Sequence, residues 1–133
     1  MRFMERYTDV TYALFRIIAG LMFATHGAQK TLGLFGGQKT DMPLMIVGGW
    51  IELIGGLLIA FGLFTGIAAF LCSGMMAVAY FMAHAPGGFW PVMNKGETAV
   101  LYCFAFLYMS SRGSGRFSID GLRSQQPAAR MRV

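Results

Sequence analysis

Four mostly apolar segments, separated by short polar or glycine-rich stretches, account for most of the chain. A helix needs about 20 residues, most of them apolar, to cross the hydrocarbon core of a bilayer. The first three segments are long enough, whereas the fourth is shorter and needs its polar ends to reach the headgroups. We therefore predict an all-α membrane protein, folded as an antiparallel four-helix transmembrane bundle, with helices at about residues 10–32, 44–64, 66–84 and 97–111.

The composition favours a membrane environment over water. Apolar residues make up 56% of the 133 residues and charged residues 13%, whereas a soluble domain carries about 25% charged residues. A soluble chain of this length could not bury so much apolar surface in one core. In a bilayer, the lipid covers that surface instead.

The sequence carries no recognisable motif for an intrinsic cofactor. Cys72 and Cys103 lie inside apolar segments and form no Cys-x-x-Cys pair, which argues against a disulfide framework and a thioredoxin-like redox pair. We find no haem-ligand pattern, flavin site or iron–sulfur cysteine set. Any cofactor is therefore expected to come from outside the chain, with a quinone as the candidate. No nucleic-acid-binding motif is present.

Basic residues are concentrated near the two chain ends. With four crossings, both ends lie on one side of the membrane, and the opposite side carries Lys39 and Lys95, with Lys30 near its edge. Basic residues favour the cytoplasmic side, so both termini are predicted to be cytoplasmic. We assign residues 1–122 to the transmembrane domain and residues 123–133 to a disordered basic tail. The arginines on the cytoplasmic side are Arg2, Arg6, Arg112, Arg116, Arg123, Arg130 and Arg132.

The first two predicted helices each carry polar residues on a stripe of small residues. Charged side chains are costly in lipid, so these stripes are expected to face other helices. Small residues allow a neighbouring backbone to approach closely, so the stripes could form a cleft or simply pack together. On the first helix the stripe contains Arg16, Gly20, Phe23, Gly27 and Lys30, with His26 at its margin. On the second it contains Gly48, Gly49, Glu52, Gly55 and Gly56.

Most of the ionisable residues in the predicted helices gather in the non-cytoplasmic half of the bilayer. By the rise of an α-helix, Glu52 lies about 12 Å and His26 about 9 Å from that surface, and Arg16 lies deeper, towards the cytoplasm. The set predicts a polar pocket for ligand binding or proton relay, and the alternative is an ion-pair network that only holds the helices together. The spacing lacks the compact pattern of metal-binding helices. The candidates are His26, Lys30, Glu52, His84, Glu97 and Arg16, with Gly48, Gly49, Gly55, Gly56, Phe23 and Trp90 lining the pocket.

Several short motifs in a fixed order resemble those of the DoxX family of bacterial membrane proteins. They are Arg16 with Gly20, the run His26–Lys30, the run Glu52–Gly56 followed by Gly62 and Thr65, Met76 with Ala79, Glu97, and the run Gly113–Asp120. The resemblance implies a four-helix membrane bundle in the bacterial plasma (inner) membrane. The family is named for its similarity to a subunit of an archaeal thiosulfate:quinone oxidoreductase. Other members are linked to quinone or thiol stress, and one to a membrane-associated oxidoreductase complex.

Three functions remain open at this stage. The first is a subunit or accessory of a quinone-linked oxidoreductase system, in which His26, Lys30 and Glu52 hydrogen-bond a quinone or carry its protons; a histidine suits this because it titrates near neutral pH. The second is a non-enzymatic membrane anchor for soluble oxidoreductases. The third is a small metabolite transporter, which at this length would need to form a homo-oligomer. We rank the quinone-linked role first.

Overall fold

The computed structural model of the protein describes residues 1–130, and its regular structure there is entirely helical, as predicted from the sequence. The α4 helix continues through a π-helical turn, Tyr80–His84, into a 3₁₀ turn, Ala85–Gly87. The helices are α1 (Arg2–Glu5), α2 (Thr8–Leu32), α3 (Pro43–Phe61), α4 (Thr65–Ala79), α5 (Pro91–Asn94), α6 (Glu97–Arg112) and α7 (Ile119–Arg130).

Three helical segments are long and apolar enough to cross a membrane: Thr8–Leu32, Pro43–Phe61 and Thr65–Gly87. The fourth predicted segment is also a helix, α6, but it has only 16 residues. Its length of about 24 Å is less than the hydrocarbon core of about 30 Å. Large apolar side chains such as Ile67 and Leu101, each 70% exposed, point away from the protein.

Glycines bring α2 and α3 into direct backbone contact. A Cβ atom added at Gly56 would lie 2.6 Å from the backbone oxygen of Gly20 and from the backbone nitrogen of Ala24. A Cβ atom at Gly20 would meet Gly56 and Ala60 just as closely. Small residues at a helix crossing permit this approach, which gains van der Waals contacts that lipid cannot replace. The α2–α3 pair is therefore the most tightly packed part of the fold.

The remaining helices pack around an aromatic core. Phe23 of α2 contacts the rings of Tyr102 and Phe106 on α6, with ring centroids 5.1 and 4.8 Å apart. Between α4 and α6, the hydroxyl of Ser73 donates a 2.7 Å hydrogen bond to the carbonyl of Cys103. A tight turn joins α3 to α4, with Gly62 at φ 70° and Phe64 at φ 51°.

The segment after α6 is fixed to the end of the fold that carries the N-terminus. Ser118 caps α7, because its hydroxyl accepts a 2.9 Å hydrogen bond from the backbone N–H of Gly121. The N–H of Asp120 donates to the carbonyl of Gly62. The structure assigns helical backbone from Ile119 to Arg130, and the disordered basic tail at residues 123–133 stays a prediction. Residues 131–133 of the predicted tail lie outside the described residues.

Candidate functional site

A cavity of about 320 Å³ lies among α2, α3, α4 and α6, at the end of the fold where α2 ends and α6 begins. One part of its wall is apolar, formed by Phe23, Met76, Ala79, Ala83 and Ala99. The other part is polar and carries side chains from α2, α3 and α6, from the π-helical turn after α4 and from the connection before α6. The polar lining residues are His26, Lys30, Glu52, His84, Lys95, Thr98 and Tyr102.

An ion pair crosses from α2 to α3 at this cavity. The Nζ atom of Lys30 donates a 2.7 Å hydrogen bond to Oε1 of Glu52. The Glu52 side chain is only 4% exposed, whereas that of Lys30 is 34% exposed. A carboxylate buried to this extent needs a partner, because an isolated charge is costly away from water. Lys30 therefore compensates the charge that Glu52 brings into the cavity wall.

Two polar atoms of the wall lack hydrogen-bond partners among the described residues. They are Oε2 of Glu52 and the hydroxyl of Tyr102, and both are buried. Leaving a buried polar group unpaired costs about 1–3 kcal/mol. Since both residues line the cavity, a ligand there could satisfy a carboxylate acceptor and a hydroxyl donor at once.

A π-helical turn places His84 at the rim of the cavity. Such turns within α-helices occur frequently at functional sites. The turn begins at Tyr80, whose hydroxyl donates to the carbonyl of Phe89 and accepts a 3.2 Å hydrogen bond from Nδ2 of Asn94. Nδ1 of His84 lies 3.2 Å from the carbonyl of Asn94. These contacts hold the connection between α4 and α6 against the cavity.

His26 stands opposite this rim, on α2. Its ring lies edge-on to the ring of Tyr102, with centroids 6.4 Å apart. The imidazole therefore lies beside the ring of the tyrosine whose hydroxyl has no partner among the described residues.

The structure brings together four of the six predicted ionisable residues and separates the other two. His26, Lys30, Glu52 and His84 all line the cavity, together with the predicted Phe23. Glu97 does not line it; it is exposed in the first turn of α6, where a carboxylate is favoured by the helix dipole. Trp90 is 65% exposed and does not line the cavity either.

Arg16 lies at the opposite end of the fold and is 1% exposed. Ten residues separate it from His26, which corresponds to about 15 Å along the helix. Its guanidinium donates hydrogen bonds to the carbonyls of Ser114 at 2.5 Å and Phe117 at 2.9 Å, with Ala60 at 3.4 Å. Arg16 therefore lies apart from the cavity, where it binds the segment that leads to α7.

The four glycines of α3 that were predicted to line the pocket lie outside the cavity. The space beside Gly49 and Gly56 is occupied by atoms of α2, and the space beside Gly55 by the sulfur of Cys72 on α4. Gly48 lies at the margin of the same helix, near Met75. None of the four lines the cavity. These glycines pack the helices together. The cavity lies elsewhere, where α2 and α3 face α4 and α6.

Sequence reasoning did not identify the contribution of α6 and the connection before it. Tyr102, Thr98 and Lys95 all line the cavity. Thr98 and Tyr102 are four residues apart and therefore share one face of α6. A tyrosine and a threonine at this spacing in an apolar helix were the available signal. Across the part of the chain that the structure describes, no group of three His, Cys, Asp or Glu residues could hold a metal ion.

These features define a class: a helical protein with membrane-length apolar helices and a polar cavity at one end of them. The chain belongs to the DoxX family, because the model of that family matches residues 11–85. A Haemophilus influenzae protein described as "Uncharacterized protein" is 39% identical over 128 residues, covering 90% of this chain and 96% of its own length. No solved structure matches the chain significantly.

A second relative is described as an oxidoreductase. The Bacillus subtilis protein described as "Putative oxidoreductase CatD" is 28% identical over 125 residues. The match covers 88% of this chain and 90% of the relative. Both relatives are therefore similar to this chain over nearly its full length.

Proposed function

We propose that this DoxX protein is a membrane subunit or accessory of a quinone-linked oxidoreductase system and that its cavity binds the quinone headgroup. The observation that carries the proposal is the pair of unpartnered buried atoms, Oε2 of Glu52 and the hydroxyl of Tyr102, on the wall of one cavity. The description of the Bacillus subtilis relative as an oxidoreductase supports such a role.

The chemistry of the wall matches a quinone and its reduced form. The hydroxyl of Tyr102 can donate to a quinone carbonyl, and Oε2 of Glu52 can accept from the hydroxyl of the quinol. The apolar wall, which includes Phe23 and Met76, suits the flat ring. The cavity of about 320 Å³ lies at the lower end of the range of about 300–1,000 Å³ that is typical of ligand pockets.

Quinone reduction consumes two electrons and two protons for each quinone. In this proposal the electrons come from a soluble oxidoreductase partner, and the protein binds the headgroup and supplies protons. His26 and Glu52 are the groups in the wall that can carry a proton to a bound oxygen, and His84 stands at the rim where protons enter. Lys30 fixes the position of the Glu52 carboxylate through the ion pair.

Quinone binding is expected to weaken when the Tyr102 hydroxyl is removed. A water-soluble quinone without a tail would be titrated into protein in lipid nanodiscs and followed by calorimetry. Tyr102→Phe should weaken saturable binding about two- to tenfold, because one hydrogen bond is worth about 0.5–1.5 kcal/mol. Tyr108→Phe is the matched control: it removes a hydroxyl from the same helix, and Tyr108 is 51% exposed and does not line the cavity. Absence of saturable binding by the wild type, or equal binding by both variants, would contradict the proposal.

We further propose that α6 also crosses the membrane, which completes an antiparallel four-helix bundle in the bacterial plasma membrane with both termini cytoplasmic. The short α6 can reach both headgroup regions if the preceding connection with Lys95 and the Arg112 end extend it. The cavity then lies in the non-cytoplasmic half. The distribution of arginines supports this orientation.

The orientation has a direct test in intact cells. Single cysteines would be placed at Gln38, in the loop between α2 and α3, and at Ser124, in α7, in a chain whose Cys72 and Cys103 are replaced by alanine. A membrane-impermeant thiol reagent is expected to label the loop position from outside and the α7 position only after the cells are opened. Labelling of position 124 but not of position 38 in intact cells would show that the orientation is the reverse of the proposed one.

A further inference from the structure

A second, larger depression of about 560 Å³ runs along the outer surface between α2 and α6. It is almost entirely apolar, and it includes Leu14, Ile18 and Met22 on α2 and Leu101 and Ala105 on α6. Leu14 and Met22 are eight residues apart, so the groove extends about 12 Å along the helices. It faces outward, where the surface of a membrane helix meets lipid.

The groove adjoins the polar cavity. Thr98 and Tyr102 line both spaces. Tyr102 therefore separates the two, with its ring packed on Phe23 at 5.1 Å between centroids and its hydroxyl unpartnered. The other apolar groove, of about 390 Å³ between α3 and α4, shares no lining residue with the cavity.

We infer that the α2–α6 groove holds the isoprenoid tail of the quinone whose headgroup occupies the cavity. This inference rests on the proposed function and deepens it, because it makes the ligand a membrane-resident quinone with a long tail that enters sideways from the bilayer. A polar cavity that adjoins an apolar groove on the outer surface, with Thr98 and Tyr102 lining both, matches a molecule with one polar end and one apolar end.

The groove is best tested by blocking it with a larger side chain, since burial of the tail in the groove contributes little to the binding affinity. A tail gains little hydrophobic energy on leaving lipid for an apolar groove, because lipid is equally apolar. Filling the groove, by contrast, forces the tail out of its place. Ala105 is suited to this because it lines the groove but not the cavity, and it is partly exposed.

The experiment compares two quinones on Ala105→Trp in lipid nanodiscs, one without a tail and one with a long isoprenoid tail. Ala105→Trp is expected to weaken binding of the long-tailed quinone about tenfold, because overpacking a filled site is destabilising. Its affinity for the tail-less quinone should stay within about twofold of the wild-type value. Ala77→Trp is the matched control, since Ala77 is a partly exposed alanine of α4 that lines neither space. Ala105→Leu serves as the milder variant if the tryptophan prevents folding.

Three outcomes would overturn the inference. Unchanged binding of the long-tailed quinone by Ala105→Trp and Ala105→Leu would show that the tail does not occupy the groove. Equally weakened binding of both quinones would show that the substitution acts on the cavity, and it would contradict a tail site in the groove. In both cases the wild type still binds the tail-less quinone, so the proposed function stands. Failure of the wild type to bind either quinone would reject the proposed function and this inference with it.

Discussion

Lys30→Ala is expected to destabilise the protein by about 3–5 kcal/mol, because it leaves a buried carboxylate without its partner. The Glu52 side chain is 4% exposed and receives a 2.7 Å hydrogen bond from Nζ of Lys30. Its second oxygen, Oε2, already lacks a partner among the described residues. Removal of the ammonium therefore leaves neither carboxylate oxygen with a hydrogen-bond partner among the described residues.

Glu52→Ala is expected to cost less than Lys30→Ala. The Lys30 side chain is 34% exposed, so its flexible stem can carry the ammonium to the aqueous surface once the carboxylate is gone. Thermal unfolding in one detergent would be measured for both single variants and the double variant. The double variant should be less destabilised than the sum of the two single variants, because the pair acts as a unit.

Lys39→Ala is the matched control, since Lys39 is an exposed lysine in the loop between α2 and α3. It should leave the unfolding temperature unchanged, as most surface substitutions do. An additive double variant, or a Lys30→Ala protein as stable as Lys39→Ala, would show that the ion pair contributes nothing to the fold.

Gly56→Ala is the second substitution with a large expected effect. The added methyl group would lie 2.6 Å from the backbone of both Gly20 and Ala24. Backbone cannot rotate away as a side chain can, so α2 and α3 must separate. Overpacking of this kind costs about 1–3 kcal/mol, and the loss of contact along the helix crossing adds to it. A lowered unfolding temperature in detergent is the expected result.

Gly74→Ala provides the control for glycine replacement itself. Gly74 lies inside α4, and a Cβ atom there meets nothing within 4 Å. Alanine is favoured over glycine in a helix by about 1 kcal/mol, so this variant should be as stable as the wild type or more stable. If Gly56→Ala unfolded at the same temperature as Gly74→Ala, the close α2–α3 contact would be excluded.

The helices were predictable from the sequence because hydropathy and glycine content mark where lipid-length segments begin and end. The predicted segments 10–32 and 44–64 correspond to Thr8–Leu32 and Pro43–Phe61. The π-helical turn at Tyr80–His84 was not predictable, since nothing in the local sequence requires the wider turn. Its hydrogen bonds to Phe89 and Asn94 form only once the connection folds back.

The candidate site was predictable only where the depth of a residue in the bilayer was enough to place it near another residue. Glu52 and the end of the first helix that carries His26 and Lys30 fall in the same half of the bilayer, and the structure pairs Glu52 with Lys30. Helix rotation and the choice of neighbour decide the rest. A glycine stripe looks the same whether it lines a cleft or packs on another backbone, and here Gly56 packs on α2. Tyr102 became part of the site because α6 packs against Phe23.

Mass spectrometry of organic extracts gives the most direct test of the central claim that the cavity binds a quinone. Wild-type protein, Glu52→Gln and Tyr108→Phe would be purified gently with their native lipids and extracted side by side. We expect a quinone to co-purify in a fixed ratio with the wild type and with Tyr108→Phe, and to be depleted from Glu52→Gln, in which an amide replaces the unpartnered carboxylate oxygen. Quinone at the same level in all three extracts, or in none of them, would contradict the claim.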